Sequence, residues 1–150
     1  MKNTKSDTIS EKIKAGLPGI TSKWEEAGPI KVFFDVLPAE LKTAVSFLMG
    51  ELNLRFIIAT GTDTRRTIEI LYHFADDNSG KVYSARVVLS DKKNLKIDSL
   101  SGLFVGASWI EREIHELLGV TFVGHDNPKH LLLNDDWPKN NFPLRHDNER

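Results

Sequence analysis

TIEILYHFADDNSGKVYSARVVL, residues 67 to 89, alternates apolar and polar side chains on either side of a turn-forming stretch. Ile68, Ile70, Tyr72 and Phe74 share one face, with Glu69 and His73 on the other; Tyr83, Ala85, Val87 and Leu89 repeat the pattern after the turn. A period of two marks half-buried strands, and Ala75 to Gly80 has the Asp, Asn, Ser and Gly of a tight turn. Lys31 to Val36 alternates in the same way, and Arg55 to Thr60 is a short apolar strand.

Between and around these strands the period changes to that of a helix. Pro38 opens one at a position that tolerates proline, Leu41, Ala44, Val45 and Leu48 form its inner stripe, and Gly50 ends it. Near the N-terminus, Thr8-Ile9-Ser10-Glu11 has the form of a capping box ahead of Ile9, Ile13 and Leu17, with Gly16 and Pro18 as stops. The expected architecture is α+β: a mainly antiparallel four-stranded sheet, helices packed on one face, and an extended C-terminal tail. The domain division is residues 1–122 for the body and 123–150 for the tail.

A chain of 150 residues with net charge −1 offers no basic surface for nucleic acid. The outward residues of the two best strands, Glu69, His73, Val82, Ser84, Arg86 and Val88, are neither basic nor aromatic, which argues against a nucleic-acid module. There is no cysteine, hence no disulfide, thiolate zinc site or cysteine-ligated cluster in this chain. The polar N-terminus lacks a signal-peptide core, and no apolar run reaches the ~18 residues of a membrane span. Direct membrane insertion is not expected.

ASWIEREIHELLGVTF, residues 107 to 122, reads as a helix stopped by Gly119. Helical numbering puts Trp109, Ile110, Glu113, Ile114, Leu117 and Leu118 on one half, and Glu111, Arg112, His115 and Glu116 on the other. That places one carboxylate, Glu113, on the apolar side. A buried carboxylate needs a partner, and Arg145 is the first choice, with Arg65 and Arg112 behind it. A catalytic role for Glu113 is the rival, but no nucleophile, phosphate loop or second converging carboxylate accompanies it. Arg65-Arg66 beside Gly61 reads as a charged hairpin loop, and His73 as an exposed strand residue.

After Gly119 the chain follows neither period. Leu131, Leu132, Leu133, Trp137 and Phe142 stand among prolines, and each is worth about 1.5–3 kcal/mol on full burial. This apolar material either folds back on the protein's own sheet or lies on another chain, with Trp137, Phe142 and Arg145 as anchors. His115, His125, His130 and His146 also fall in this last quarter, near Asp126, Asp135, Asp136 and Asp147. A stand-alone metal-dependent enzyme built on that cluster is the alternative reading, though no metal-ligand spacing accompanies it.

Three motifs in order carry a resemblance: Trp109-x-Glu111-Arg112-Glu113, then Leu118-Gly119-Val120-x-Phe122-x-Gly124-His125, and last Pro143-Leu144-Arg145-x-Asp147. Together with TIEILYHF and IDSLSGLF upstream, they resemble the respiratory-chain NADH dehydrogenase 30-kDa subunit family, over about residues 55 to 147. That family includes the 30-kDa component of bacterial complex I and the equivalent small subunits of energy-converting [NiFe] hydrogenases and formate hydrogenlyases. The chain departs from the family at Glu116, where an aspartate is usual, and over residues 125 to 130, where the family has His-Pro followed by arginines.

The resemblance implies a non-catalytic subunit of the hydrophilic arm, without cofactor, metal or catalytic residue of its own. Trp109, Glu111, Arg112, Glu113, Gly119, Phe122, Gly124 and His125 would be its structural motif. Leu131, Leu132, Leu133, Trp137, Phe142, Pro143, Leu144, Arg145 and Asp147 would meet the large subunit that houses the quinone site or the nickel–iron centre, among other arm subunits. The complex would hold the chain at the cytoplasmic side of the membrane.

Overall fold

The computed structural model describes residues 4–17 and 22–148. The elements run α1 (Thr4–Gly16), β1 (Ser22–Glu26), β2 (Lys31–Asp35), α2 (Leu41–Ser46), β3 (Arg55–Asp63), β4 (Ile68–Asp76), β5 (Lys81–Leu89), β6 (Lys96–Asp98), α3 (Val105–Leu118) and β7 (Thr121–Val123). The fold is α+β, and its main sheet has five strands in the order β1-β2-β5-β4-β3, mostly antiparallel, with β6 and β7 forming a second sheet of two. The chain clusters into two units, Met1–Ile58 with Leu71–Val87 and Ala59–Ile70 with Val88–Arg150.

In the first unit the alternation seen in the sequence becomes a core. Val32 and Phe34 from β2, Tyr72 and Phe74 from β4, and Tyr83, Ala85 and Val87 from β5 are buried. β2 and β5 run parallel, with Phe34 beside Ala85, so this pair departs from the antiparallel rule. Leu41, Ala44, Val45 and Leu48 are buried as the helical period requires. Pro38 starts this segment as a 3-10 turn, Pro38–Glu40, and Gly50 lies within a closing π-helical turn, Phe47–Glu51. Gly16 ends α1 for a steric reason besides: a Cβ there would come within 2.1 Å of the Phe47 ring.

Three expectations change in this unit. α1 begins at Thr4, so the capping box at Thr8 lies inside the helix and is not its start. Pro18 lies outside the described residues. The sequence SKWEE shows no clean alternation and is nevertheless the edge strand β1, antiparallel to β2. Trp24 of this strand stacks on Phe34 at 5.4 Å, and the Lys14 ammonium sits over the Trp24 ring at 4.4 Å. His73 is half-buried rather than exposed; its Nδ1 lies 2.7 Å from the Ser84 hydroxyl, and burial pushes its pKa down.

In the second unit β6 and β7 pair in parallel, with Ile97 beside Phe122. Leu95, Ile97, Leu100, Ile114, Leu118, Val120 and Phe122 are buried. Gly61 lets α3 approach β3: a Cβ on it would meet Leu118 at 2.6 Å and Ile114 at 3.3 Å. Arg65 lies in the turn between β3 and β4, closed by a Thr64 amide bond to the Thr67 carbonyl at 2.9 Å.

Candidate functional site: the last helix and the segment it holds

α3 turns a different side inward from the one its apolar pattern suggests. Ala107, Glu111, Ile114 and Leu118 are buried, all within a narrow arc of the helix. Trp109 is 59% exposed, and Glu113 is only part-buried. Glu113 makes no hydrogen bond or ion pair among the described residues, so its expected pairing with Arg145 is absent. The buried carboxylates of α3 are Glu111, 1% exposed, and Glu116, 2% exposed. Helical phase assigns both to the solvent-facing half, because their partners, the Ser99 hydroxyl and Leu100 amide for Glu111 and three amides for Glu116, lie 11 to 17 residues away and are invisible to periodicity.

Glu111 holds the loop that leads into its own helix. Its Oε2 accepts from the Ser99 hydroxyl at 2.5 Å, and its Oε1 from the Leu100 amide at 2.6 Å. Beside it His125 donates from Nε2 to the Ser108 carbonyl at 3.0 Å, while its Nδ1 accepts from the Asn127 amide at 2.9 Å. An imidazole that donates from one nitrogen and accepts at the other is neutral. The 3.9 Å approach of His125 to Glu111 is therefore a dipolar contact and not an ion pair.

Arg112 and Glu116, four residues apart, project from successive turns of the helix. Arg112 donates to the carbonyls of Lys129 and His130 at 2.8 and 2.7 Å. The Glu116 carboxylate accepts from three successive amides, Leu131, Leu132 and Leu133, at 2.9, 2.7 and 3.3 Å. The cation takes carbonyls and the anion takes amides, so the pair grips irregular backbone with matched polarity at each point. Hydrogen bonds to charged groups are the strong ones, about 1.5–3 kcal/mol each. Trp109 lies 5.7 Å from the Arg112 guanidinium.

The chain is fastened again farther along. Gly119 ends α3 at φ +77°, and a side chain there would strike the Phe142 ring at 2.7 Å. The Leu144 amide donates to the Leu117 carbonyl at 3.1 Å, and Arg145 donates to the Leu118 carbonyl at 3.2 Å, so Pro143-Leu144-Arg145 caps the helix. Arg145 also forms a two-point pair with Asp147, whose pKa this pairing holds far below the usual carboxylate range. Asp63 gathers Lys92 Nζ at 2.9 Å, the His146 amide at 2.9 Å and the Arg65 amide at 2.7 Å. Burial pushes the Asp63 carboxyl up, but these bonds outweigh it and the net shift is down. Nothing in the sequence marks Asp63, at the end of β3, or Lys92, in a loop, for this task.

The tail thus folds back on its own chain, mainly on α3, and reaches the end of β3 at Asp63. Its backbone is held while part of its apolar surface stays outside: Leu132 is 64% and Leu144 57% exposed, and Pro143 is exposed. Leu131, Leu133, Trp137 and Phe142 are part-buried, with the Trp137 indole donating to the Asn141 carbonyl at 2.8 Å. Phe122 is buried in β7, and Gly124 turns the chain after it at φ +83°. Among the described residues no three His, Asp or Glu side chains gather as metal ligands would. His146 is exposed at the far end, and His125 is enclosed by Ser108 and Asn127. His115 and His130 line one cavity with Asp135.

The fold has counterparts among solved structures. It resembles a chain of the membrane-bound sulfane sulfur reductase, an archaeal respiratory membrane complex, with TM-score 0.82 at 19% identity, over 95% of this chain and 85% of that one. It also resembles a trypsin-resistant fragment of Nqo5, with TM-score 0.65 at 17% identity, over 81% of this chain and 98% of the fragment. The sequence matches the respiratory-chain NADH dehydrogenase 30-kDa subunit family over residues 34–150, and the chain belongs to that family. Among its relatives, a subunit of the NADH-quinone oxidoreductase of Roseiflexus sp. (strain RS-1) is 30% identical over 93% of this chain and 82% of the relative. A subunit of the NAD(P)H-quinone oxidoreductase of Prochlorococcus marinus (strain NATL1A) is 42% identical over 48% of this chain, a match that spans 40% of the relative.

Proposed function

We propose that the chain is a non-catalytic subunit of the hydrophilic arm of a membrane-bound, complex I-like oxidoreductase, of the NADH:quinone or energy-converting hydrogenase kind. Its task is to dock against the large subunit that carries the quinone or nickel–iron site and to keep the arm assembled at the cytoplasmic face of the membrane. Residues 123–150 act as the docking tail, and chemistry belongs to the neighbours. Family membership supports the complex. No helix among the described residues is long and apolar enough to cross a membrane; on this reading the other subunits supply the attachment.

The observation that carries the docking role is the tail's division of labour. Arg112 and Glu116 fix residues 129 to 133 by their main chain, which leaves Leu132 free to face outward, and Leu144 does the same beside the Arg145 cap. Rigid backbone under exposed leucine lowers the ordering cost of association, and apolar side chains kept in water gain on burial in a partner. The test is isolation of the affinity-tagged chain from detergent-solubilised membranes of its host. The large subunit is expected to co-purify with the full chain and to be lost when residues 131–150 are deleted; a complex that survives the deletion overturns the docking role.

A further inference from the structure

The tail and α3 enclose a half-open cavity of about 360 Å³, within the size range of small-ligand sites. Its lining is unusual in offering acceptors. The His115 Nδ1 lies 2.7 Å from the Val120 carbonyl and the His130 Nδ1 3.0 Å from the Asn134 carbonyl, so both rings carry their proton on Nδ1. In the neutral ring each Nε2 is then an acceptor, and neither makes a hydrogen bond among the described residues. The Asp135 carboxylate, also in the lining, has no hydrogen bond or ion pair there either. Glu116 adds negative charge but is engaged by the three leucine amides. Trp137 supplies an aromatic wall whose indole is pinned to the Asn141 carbonyl. Lys139 is the one cation in the lining, on an exposed residue.

Two imidazole acceptors, a free carboxylate and an aromatic face complement a planar cation rich in donors. A guanidinium has five N–H donors, no acceptor, and a face that stacks on indole. An ammonium offers three donors and no plane, and a metal ion would need a third ligand that does not converge here. We propose that this cavity is the socket for an arginine side chain of the large partner subunit. The inference rests on the docking role above, which it deepens: the cavity shares Glu116 with the clamp on residues 131 to 133.

The charged and titratable groups lining the socket are His115 and Glu116 from α3 and His130, Asp135 and Lys139 from the tail. A protonated imidazole at either position would donate instead of accept and would add repulsion, so the socket takes a guanidinium only with both rings neutral.

The test is an NMR titration of the full chain with N-acetyl-arginine amide, with N-acetyl-lysine amide as control. The arginine probe is expected to move the His115, His130 and Trp137 ring signals saturably, about tenfold more tightly than the lysine probe. Asp135→Asn with His130→Phe is expected to weaken arginine binding about tenfold while the Leu131 to Leu133 amides stay protected from exchange, which shows the tail still folded. Equal binding of the two probes, no saturable shift, or no loss in the double variant overturns the socket. If the tail deletion breaks the complex and the arginine probe does not bind, the socket falls and the docking role stands. If the probe binds but the large subunit fails to co-purify, the docking role falls, and with it the assignment of the arginine to a partner.

Discussion

β2 and β5 in the first unit and α3 with its tail in the second are stabilised by opposite means. Phe34, Tyr83, Ala85 and Val87 are buried because they are apolar and fall on one face of a strand, and the period of two displays that in the sequence. Around α3 the deciding contacts are polar: Glu111 on Ser99 and Leu100, Glu116 on three leucine amides, and Arg112 on two carbonyls. Apolar burial is a local property that composition reveals. A carboxylate's burial depends on which backbone reaches it, and that is set by the path of a distant segment.

The contrast is measurable as a series of stability changes. Phe34→Ala removes a wholly buried ring from the first unit and is expected to cost about 4 kcal/mol in urea unfolding. Glu116→Ala leaves three amides without their acceptor and is expected to cost about 3 kcal/mol, with amide exchange accelerating at residues 131 to 133 before any other part of the chain. If Glu116→Ala leaves those amides protected, the clamp is not what holds the tail. Gly119→Ala strains a left-handed residue and drives a methyl toward Phe142, for an expected loss of about 2 kcal/mol.

Acid should act selectively. The Asp63 and Asp147 pKa values lie below their unfolded values, so each contributes stability above about pH 4 that disappears as pH falls through the folded value. The His146 amide, bound to Asp63, is therefore expected to keep its exchange protection at about pH 5 and lose it at still lower pH. The smallest effect belongs to Glu113→Gln, expected within about 0.5 kcal/mol of the parent because no partner depends on that carboxylate.

The same division explains what could be read beforehand. The inner faces of β2, β4 and β5, the buried stripe of α2, and the glycine stop of α3 follow from spacing alone. β1 is hidden in the sequence because four of its five residues are exposed and its one aromatic, part-buried, stacks on a residue of the partner strand, and β6 and β7 are three residues each, too short for alternation to register. The Trp109-x-Glu111-Arg112-Glu113 motif was visible as a motif, but its roles were not. Trp109 and Glu113 looked internal by helical phase, whereas Glu111 and Arg112 do the holding, together with Glu116. The acceptor-lined cavity depends on two histidine tautomers fixed by carbonyls of Val120 and Asn134, which sequence cannot show.

Leu132 and Leu144 separate holding from docking most directly, since the side chains of both lie outside the hydrogen-bonded backbone that fastens the tail. Replacing both by aspartate in the tagged full chain, followed by isolation of the complex from solubilised membranes, tests whether the exposed leucines meet a partner. The expected result is loss of the large subunit from the preparation with the isolated chain's unfolding midpoint unchanged. Recovery of the large subunit in undiminished yield would contradict the docking role of the tail.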